Sequence, residues 1–359
     1  NALPELCLRP LTDGRQVPVC AVVLESDDLF RSGGAPETRN NRLAKLALDL
    51  LPETALKAVT DTRPDRLGVV IGTSTSGISA GEVALTRFLQ GGLWPEDFYL
   101  SQQELGDAAL FLANLLGARG PAYVISTACT SGAKAIISGA RLIQQGLCDT
   151  VVCGGVDTLC ELTLNGFGVL EALARGRCNP FSRNRSGIHI GEAAALFVLS
   201  ATPAHIRIAG WGESSDAHHI SAPDPDGHGA RLAMAGALRM AGKAPEDIGY
   251  INLHGTATQQ NDQMEAASVF DIVGNSVACS STKPLTGHTL GAAGAVEAAI
   301  VAVSLQQGRV PRHLNDGESD PAVAEINLLK ADTDLRGRFA MSCNYAFGGN
   351  NTALILEAI

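Results

Sequence analysis

The segment Val124-Ile-Ser-Thr-Ala-Cys-Thr-Ser-Gly-Ala-Lys-Ala-Ile-Ile137 places Cys129 between two different patterns of secondary structure. Beta-branched residues precede the cysteine, a small-residue turn holds it, and a helical pattern follows. At a helix N-terminus, free N–H groups and the positive end of the helix dipole stabilise a thiolate. We therefore predict that Cys129 is a nucleophile; the alternative is a buried structural thiol.

The same alternation of strand and helix continues along the chain. Helical patterns are predicted at 80–90, 129–144, 292–307 and from about Asp262, and buried strands at 66–74, 123–127, 149–154, 248–253, 276–280, 339–343 and 352–356. This order is typical of an α/β protein with a parallel sheet covered on both faces. In each half a strand delivers a reactive residue to a turn before a helix, which indicates a weak internal repeat. Residues 25–42 and 213–230 are predicted to be loops.

Composition excludes several classes of function. The 359 residues are 45% hydrophobic and 18% charged, which allows a large buried core. A net charge of −10 argues against nucleic acid as the main partner. With no uninterrupted apolar window of ~18 residues and no signal-peptide pattern, we expect a cytoplasmic protein without a membrane partner. Nine scattered cysteines indicate reduced thiols, and their spacing predicts no metal site.

Two histidines lie in segments rich in glycine and threonine. His254 follows a strand pattern in Leu253-His-Gly-Thr-Ala-Thr, and His288 lies in Lys283-Pro-Leu-Thr-Gly-His-Thr-Leu-Gly. One sulfur and two imidazoles are enough for covalent acyl chemistry if the fold brings them together. Taken alone, each histidine has a plainer alternative, as a satisfied core residue or a helix cap.

Neighbouring residues offer supporting groups. Thr256 and Thr258 alternate along an extended segment and present two hydroxyls to a polar ligand arm. Lys283 has the reach to hydrogen-bond an imidazole, and Glu265 on the next predicted helix would neutralise it if both are buried. The turn Phe347-Gly348-Gly349 offers a backbone N–H for an oxyanion and a movable side chain. Its alternative is a simple hairpin before the last strand.

Four blocks together resemble the beta-ketoacyl-acyl-carrier-protein synthases. They are Thr127-Ala-Cys-Thr-Ser-Gly, His254-Gly-Thr-Ala-Thr, Ser281-Thr-Lys-Pro-Leu-Thr-Gly-His288 and Phe347-Gly-Gly-Asn, in the family's order and spacing. The resemblance covers residues 40–359, and it is specific because four independent motifs agree. It implies a thiolase-like α/β fold with two pseudo-repeated halves and stacked layers (αβαβα). We place the halves at 1–200, carrying the cysteine, and 201–359, carrying both histidines and the Phe-Gly-Gly loop.

The family's chemistry is a decarboxylative Claisen condensation. The resemblance implies that Cys129 accepts an acyl group from the phosphopantetheine thioester of an acyl carrier protein. His254 and His288 would promote decarboxylation of a malonyl unit on a second carrier. The backbone N–H groups of Cys129 and Phe347 would form the oxyanion hole, with the Phe347-Gly348 turn as a gate.

The resemblance also assigns supporting roles and partners. Lys283 would hold the His288 loop through Glu265, and Phe167 would line the acyl pocket. The two threonines would bind the pantetheine arm. No cofactor of the protein's own is implied, because phosphopantetheine arrives on the carrier. The expected partners are acyl carrier protein and a second subunit, in a homodimer or in a heterodimer with a related ketosynthase-like chain.

The chain departs from the family pattern at three places. It begins Asn-Ala-Leu-Pro-Glu where the family has a Val/Ile strand, so the resemblance predicts no structure for the first forty residues. Tyr345-Ala-Phe347 replaces the usual Phe-Gly-Phe. Ser101-Gln-Gln-Glu104 is polar where common fatty-acid synthases have apolar pocket residues, so we expect Glu104 to contact something other than a plain saturated chain. With 38–41 and 158–167, this stretch is most similar to ketosynthases of aryl-polyene pathways.

Other functions fit parts of the pattern. A non-catalytic chain-length-determining subunit has the same fold but typically lacks the cysteine, so the presence of Cys129 with both histidines argues against it. A coenzyme-A thiolase would have a second active cysteine near the C-terminus, and the candidate, Cys343, lies inside a strand pattern. A papain-like hydrolase would need a Cys-His-Asn arrangement. The pathway stays open between fatty acid, polyketide and aryl polyene.

Overall fold

The computed structural model describes residues 3–24, 31–32 and 35–359 of the chain. Its helices are α1 (Arg39–Asp49), α2 (Glu53–Thr60), α3 (Ile78–Gly91), α4 (Asp107–Leu116), α5 (Ser131–Gln144), α6 (Glu161–Val169), α7 (His228–Ala241), α8 (Gln259–Val273), α9 (Lys283–Thr286) and α10 (Ala293–Gln307). Its strands are β1 (Cys7–Pro10), β2 (Gln16–Cys20), β3 (Arg31–Ser32), β4 (Ala35–Pro36), β5 (Leu67–Gly72), β6 (Ala122–Ile125), β7 (Thr150–Asp157), β8 (Ile190–Gly191), β9 (Ala193–Ser200), β10 (Ile206–Ser215), β11 (Ile248–Asn252), β12 (Ala278–Ser280), β13 (Arg309–Val310), β14 (Thr333–Asp334), β15 (Phe339–Tyr345) and β16 (Asn350–Ala358).

A four-stranded sheet carries the first half. Its order is β6-β5-β7-β9, with the first three strands parallel and β9 antiparallel. Every residue of β5 and β7 is buried, as expected for strands covered on both faces. Apolar side chains of α1 and α4 pack on one face, and α5 packs on the other.

A five-stranded sheet carries the second half. Its order is β10-β16-β15-β11-β12, with β11 parallel to both of its neighbours and β16 antiparallel to both of its own. Buried apolar side chains of α7 and α8 cover one face of this sheet, and α10 packs against β15 on the other face.

Helices α5 and α10 contact each other between the two sheets, which completes five layers. The fold is the thiolase-like α/β fold. Close packing places the first turn of α5 against the end of β5, where a Cβ on Gly72 would lie 2.4 Å from the Gly132 nitrogen. Only glycine fits there, so the start of α5 is held directly at the sheet edge.

Most of the predicted elements are present, with bounds shifted by a few residues. The loop predicted at 25–42 is wrong in two places. The short strands β3 and β4 pair antiparallel inside it. At its end α1 begins at Arg39, where the Thr38 hydroxyl caps the helix by accepting the Asn41 N–H at 3.2 Å. Residues 25–30 and 33–34 of that prediction lie outside the described residues. In 213–230 the loop is shorter than predicted, since β10 ends at Ser215 and α7 begins at His228.

One segment has the length and composition of a membrane span. Leu290–Gln307 has a mean hydropathy of 1.3, but 67% of it is buried inside the protein. Its apolar side chains pack between the two sheets, so within the described part of the chain it is a core helix.

Candidate active site

Cys129 lies in the turn between β6 and α5. The preceding Ala128 has φ of 52°, a left-handed conformation that is costly for a residue with a side chain. Ser131 begins the helix, and its hydroxyl accepts the Thr127 N–H at 2.8 Å. The strained turn therefore holds the cysteine at the N-terminal end of α5, where it is 5% exposed.

Two loops of the second half bring His254 and His288 to this sulfur. His254 follows β11, and His288 follows the short helix α9. Nε2 of His288 lies 3.0 Å from the Cys129 sulfur, and the two imidazoles pack edge to face with centroids 5.3 Å apart. The three residues predicted from separate motifs thus form one cluster.

The second nitrogen of each ring accepts a hydrogen bond, and this fixes where the ring proton lies. The Leu290 N–H donates to Nδ1 of His288 at 3.3 Å, and the Lys283 ammonium lies 3.2 Å from Nδ1 of His254. A ring nitrogen that accepts carries no proton, so the proton of each neutral ring lies on Nε2. Each imidazole therefore has an Nε2–H group to donate.

Both imidazoles are neutral. Burial lowers the pKa of His254 well below its usual value, and the charge of Lys283 and the proximity of His288 lower it further. The pKa of His288 is lowered for the same first two reasons, burial and then Lys283. Neutral rings suit hydrogen-bond donation to a developing negative charge.

The proton positions also bear on metal binding. Sγ and the ring nitrogens of this cluster lie within 4.8 Å of one another, a spacing that zinc could bridge. A metal on Nε2 would move the ring proton to Nδ1, where Leu290 or Lys283 already donates. Ring nitrogens behind a metal ligand normally face an acceptor instead. The surroundings of these rings therefore fit hydrogen-bond donors better than metal ligands.

Burial controls the protonation of the sulfur more strongly than the helix terminus does. It raises the pKa of the Cys129 thiol to about 11, although the charge of Lys283 and the Phe347 N–H act in the opposite direction. The stabilisation that the helix N-terminus offers a thiolate is thus outweighed, because the loss of hydration has a larger effect on the pKa than the nearby donors. The raised pKa favours the protonated thiol in the resting protein.

Lys283 is buried beside His254, but its ionic partner is not the predicted one. The ammonium forms a salt bridge with Glu297 on α10 and also donates to the His254 carbonyl. The carboxylate of Glu265 instead accepts the backbone N–H groups of His254 and Gly255 at 2.6 and 2.7 Å. The structure thus corrects the prediction that Lys283 acts through Glu265. Glu265 shapes the histidine turn, and burial raises the pKa of its carboxyl to about 8.

Glu297 and Asn344 are site residues that the sequence analysis did not assign. The Asn344 amide donates to the carboxylate oxygen of Glu297 that does not contact Lys283. Burial raises the pKa of Glu297, and the Lys283 charge opposes that effect. A signal was present, because Glu297 is the single acidic residue in the apolar run Ala293–Gln307. A lone carboxylate in such a helix is typical of a buried partner for a cation.

A cavity of about 510 Å³ opens onto the cluster. Its walls include Thr256 and Thr258, whose hydroxyl oxygens lie 2.9 Å apart. They also include Phe167 and Phe347, whose rings are tilted by 34° with centroids 5.7 Å apart. The structure therefore brings these four predicted residues to the space beside the sulfur.

The Phe347-Gly348 turn contributes one backbone donor to the site. The N–H of Phe347 lies near the Cys129 sulfur and acts to lower the pKa of the thiol. The N–H of Gly348 is already used, because it donates to the Ile220 carbonyl at 2.8 Å. Gly348 is therefore not a second oxyanion donor, although its φ of 84° allows the turn a conformation that other residues rarely adopt.

Two other residues considered from the sequence lie away from the cavity. Glu104 is exposed, and its carbonyl accepts the Ser76 hydroxyl at 2.9 Å. Its side chain is not part of the cavity wall, so the predicted contact with substrate is not made there. Cys343 is fully buried in β15 and does not reach the cavity, which removes the thiolase-like pair of active cysteines.

Two domain models and many curated proteins are similar to this chain. Residues 31–205 match the model of the beta-ketoacyl synthase N-terminal domain, and residues 205–316 match that of the C-terminal domain. The chain is 30% identical over 318 residues to 3-oxoacyl-[acyl-carrier-protein] synthase 2 of Staphylococcus aureus strain N315, covering 83% of this chain and 77% of that protein. It is 32% identical to the protein of the same name from a Synechocystis strain, covering 83% and 76%.

Solved structures are similar over nearly the whole chain. A chain from the complex of the ketosynthase ApeO with its chain length factor ApeC, from Xenorhabdus doucetiae, is 43% identical with a TM-score of 0.92, covering 99% of this chain and 90% of that one. A chain of the ishigamide ketosynthase/chain length factor is 26% identical with a TM-score of 0.84, covering 98% and 92%. The chain belongs to the beta-ketoacyl synthase family.

Proposed function

We propose that this protein is a catalytic 3-ketoacyl-acyl-carrier-protein synthase. The observation that carries the proposal is the convergence of a cysteine and two neutral, Nε2-protonated histidines at the floor of one cavity. A condensing enzyme needs these parts, namely a nucleophile that stores an acyl group and donors that stabilise an enolate.

The first step is acyl transfer. The Cys129 sulfur attacks the carbonyl carbon of an acyl-pantetheine thioester, and the departing pantetheine sulfur takes the proton that the thiol loses. The oxygen of the tetrahedral intermediate accepts the backbone N–H groups of Cys129 and Phe347. Because one thioester replaces another, no cofactor is consumed. We propose that the protein needs none of its own.

The second step is decarboxylation and condensation. A malonyl thioester loses CO2, and the enolate oxygen that forms accepts the Nε2–H groups of His254 and His288. The enolate carbon then attacks the Cys129 thioester to give a 3-ketoacyl thioester on the carrier. The sulfur leaves and takes up one proton from solvent. Neutral donors suffice, because loss of CO2 rather than a strong base makes the carbanion.

The supporting residues hold these groups in place. Lys283, paired with Glu297, donates to Nδ1 of His254 and so keeps its proton on Nε2. Thr256 and Thr258 offer hydroxyls to the pantetheine arm along the cavity wall. Phe347 and Phe167 form the apolar gate through which the acyl chain passes.

We propose that acyl carrier protein is the substrate carrier and that the second subunit is a chain-length-factor-like relative. The support for the second subunit is the 43% identity, over nearly the full length, to a chain of a ketosynthase–chain length factor complex. The motif-level similarity to ketosynthases of aryl-polyene pathways favours a conjugated acyl chain. A non-catalytic role for this chain is the second candidate, and the intact cluster disfavours it.

Mass spectrometry of the intact protein tests the catalytic role. After incubation with acyl carrier protein loaded with a short acyl group, alone and with the co-expressed partner subunit, we expect an acyl adduct on wild type. We expect none on Cys129→Ala, and the usual adduct on Cys20→Ala. An adduct that persists on Cys129→Ala, or a wild type that never acquires one, would favour the non-catalytic role.

A primer panel tests the pathway. Saturated, unsaturated and aryl primers of matched length are loaded on the carrier, and elongation with malonyl carrier is followed by mass spectrometry. We expect unsaturated and aryl primers to be elongated faster than saturated ones. Equal or faster elongation of saturated primers would assign the protein to ordinary fatty-acid synthesis.

A further inference from the structure

Asp157 is a buried carboxylate to which the proposed reaction gives no role. It ends β7 and is 0% exposed. Its Oδ1 atom accepts hydrogen bonds from the loop after β5, namely from the hydroxyls of Thr73 and Thr75 at 2.6 and 2.9 Å and from the N–H groups of Ser74 and Thr75 at 2.7 and 3.0 Å. Charge-assisted bonds of this number hold the carboxylate in one orientation.

The other oxygen of Asp157 reaches the second half of the molecule. Oδ2 accepts the Gly291 N–H at 2.5 Å. Gly291 lies in the turn between His288 and α10, directly after Leu290, whose own N–H donates to Nδ1 of His288. Leu290 has φ of 51°, so this turn is strained and persists only because its surroundings hold it.

The turn also touches the helix that carries the nucleophile. A Cβ on Gly132 in the first turn of α5 would lie 3.1 Å from the Gly291 carbonyl oxygen. The hydrogen bond from the Gly291 N–H to Asp157 therefore lies at the point where β7, α5 and the His288 turn contact one another. A shift of the turn at this point changes the distance between His288 and the sulfur.

We propose that Asp157 is a positioning residue for His288, which fixes the Gly291 peptide and through it the Leu290 N–H that keeps the His288 proton on Nε2. This rests on the proposed function only in assigning His288 to the condensation. Asp157 touches neither the sulfur nor the imidazole, so it acts through the turn.

The chemistry of the carboxylate supports this role. Among the described residues, none supplies a cation within salt-bridge distance of Asp157, and an unpaired buried charge is costly. Burial accordingly raises its pKa. A neutral amide has only one acceptor oxygen and adds two donors, so it cannot satisfy both the β5 loop and Gly291. A carboxylate satisfies all five donors at once.

The test compares Asp157→Asn with Asp149→Asn, which removes an exposed carboxylate just before the same strand, where it pairs with Arg66. We expect Asp157→Asn to lower kcat of condensation ~10-fold to 100-fold with KM for malonyl carrier within twofold, because a small misplacement of a catalytic group has effects of that order. Ring ¹⁵N chemical shifts of His288 should move from a single Nε2–H form towards a mixture of tautomers. Asp149→Asn should match wild type in all three.

Two results would overturn the proposal. One is a folded Asp157→Asn with wild-type kcat and unchanged His288 ring signals. The other is a loss of kcat with those signals unchanged, which would mark a merely structural role. If the Asn variant does not fold, Asp157→Glu keeps the charge but pushes the carboxylate towards Gly291, and the same readouts decide. A wild type that forms no acyl-enzyme would sink the proposed function, while the ring signals would still test Asp157.

Discussion

Two cysteine–histidine pairs are neighbours in the described part of the chain, and one of them lines the cavity of the candidate active site. In the first, the Cys129 sulfur lies 3.0 Å from Nε2 of His288. In the second, the Cys20 sulfur lies 3.4 Å from Nε2 of His189. The two histidines are neighbours through the backbone, because the His288 N–H donates to the His189 carbonyl at 2.8 Å.

The local chemistry of the two pairs is nearly the same. A backbone N–H from Cys178 donates to Nδ1 of His189 at 3.0 Å, as Leu290 does for His288, so both rings carry the proton on Nε2. Burial and then the Arg177 charge lower the pKa of His189 to about 4, and burial raises the pKa of the Cys20 thiol. Neither the position of the ring proton nor the direction of the pKa shifts therefore separates the Cys129–His288 pair from the Cys20–His189 pair.

The difference lies in what surrounds the sulfur. Cys129 stands in a strained turn before α5, with the Phe347 N–H and a cavity of about 510 Å³ beside it. Cys20 ends β2, the central strand of the small sheet β1-β2-β8, and its thiol hydrogen-bonds to the Leu285 carbonyl at 3.7 Å. Both pairs thus share the cysteine–histidine contact. They differ in access to the cavity and in the backbone donor beside the sulfur, and under the proposed function these two features make Cys129 the reactive thiol.

The largest expected effect in this comparison is the loss of malonyl decarboxylation when His288 or His254 is replaced. We expect His288→Ala to slow malonyl decarboxylation ~10²-fold to 10³-fold, the effect of deleting one donor to a developing oxyanion. Release of labelled CO2 from malonyl carrier measures it. His254→Ala should fall in the same range, and both should slow acyl transfer to Cys129 much less.

The control is His189→Ala in the second pair. We expect the rate of decarboxylation to stay within a few-fold of wild type, because His189 does not line the cavity. Circular dichroism verifies that the variant folds. Equal losses for His189→Ala and His288→Ala would mean that the two pairs work as one unit. Equal losses of decarboxylation and acyl transfer in His288→Ala would contradict the division of labour between sulfur and imidazoles.

Much of the first pair could be predicted from the sequence, and none of the second. Cys129, His254 and His288 stand in motifs whose glycines and threonines mark turns after strands. Cys20 lies in an apolar run, and His189, although flanked by Gly187 and Gly191, stands between two isoleucines without a threonine-containing turn. The Glu297 partner of Lys283 was missed although it lies 14 positions after the lysine, because Glu265 was chosen for its place on the helix that follows His254. The fold brings α10, and not α8, against the ammonium.

The group that donates to Nδ1 of His254 differs from the donors to Nδ1 of His288 and His189. Nδ1 of His254 faces an ammonium rather than a backbone N–H. Glu297→Gln should leave the Lys283 charge unpaired in a buried site and cost about 3–5 kcal/mol of unfolding free energy. Urea unfolding measures the loss, and condensation should fall as Lys283 releases the ring.

Glu265→Gln is the matched control for that buried acid. Its carboxylate accepts backbone N–H groups instead of pairing with Lys283, so the amide should cost only about 1–3 kcal/mol, the price of one mismatched donor. A larger loss for Glu265→Gln than for Glu297→Gln would restore the sequence-based assignment of Glu265 as the partner of Lys283.

The third prediction concerns the pH dependence of alkylation at the two sulfurs. Burial places the pKa of Cys129 at about 11, so its thiolate fraction should rise about tenfold per pH unit from pH 7 to pH 10. Iodoacetamide labelling followed by peptide mass spectrometry gives the rate at each cysteine. Labelling of Cys129 that is already maximal at pH 7 would restore the thiolate expected from the helix N-terminus. At every pH, Cys20 should react more slowly, because it does not line the cavity.

The smallest effect is expected at Cys20 itself. Cys20→Ala removes the acceptor of the His189 Nε2–H and should lower stability by about 1–3 kcal/mol, whereas Cys20→Ser keeps a group that can both accept and donate and should cost less. Thermal unfolding ranks the two variants, and condensation should stay within twofold of wild type in both. A strong loss of condensation in Cys20→Ala that Cys20→Ser restores would show that the second pair holds the Leu285 carbonyl, and with it the Lys283 helix, for catalysis. The hydrogen bond from Cys20 to Leu285 would then support catalysis by positioning α9, although the Cys20 sulfur does not contact substrate.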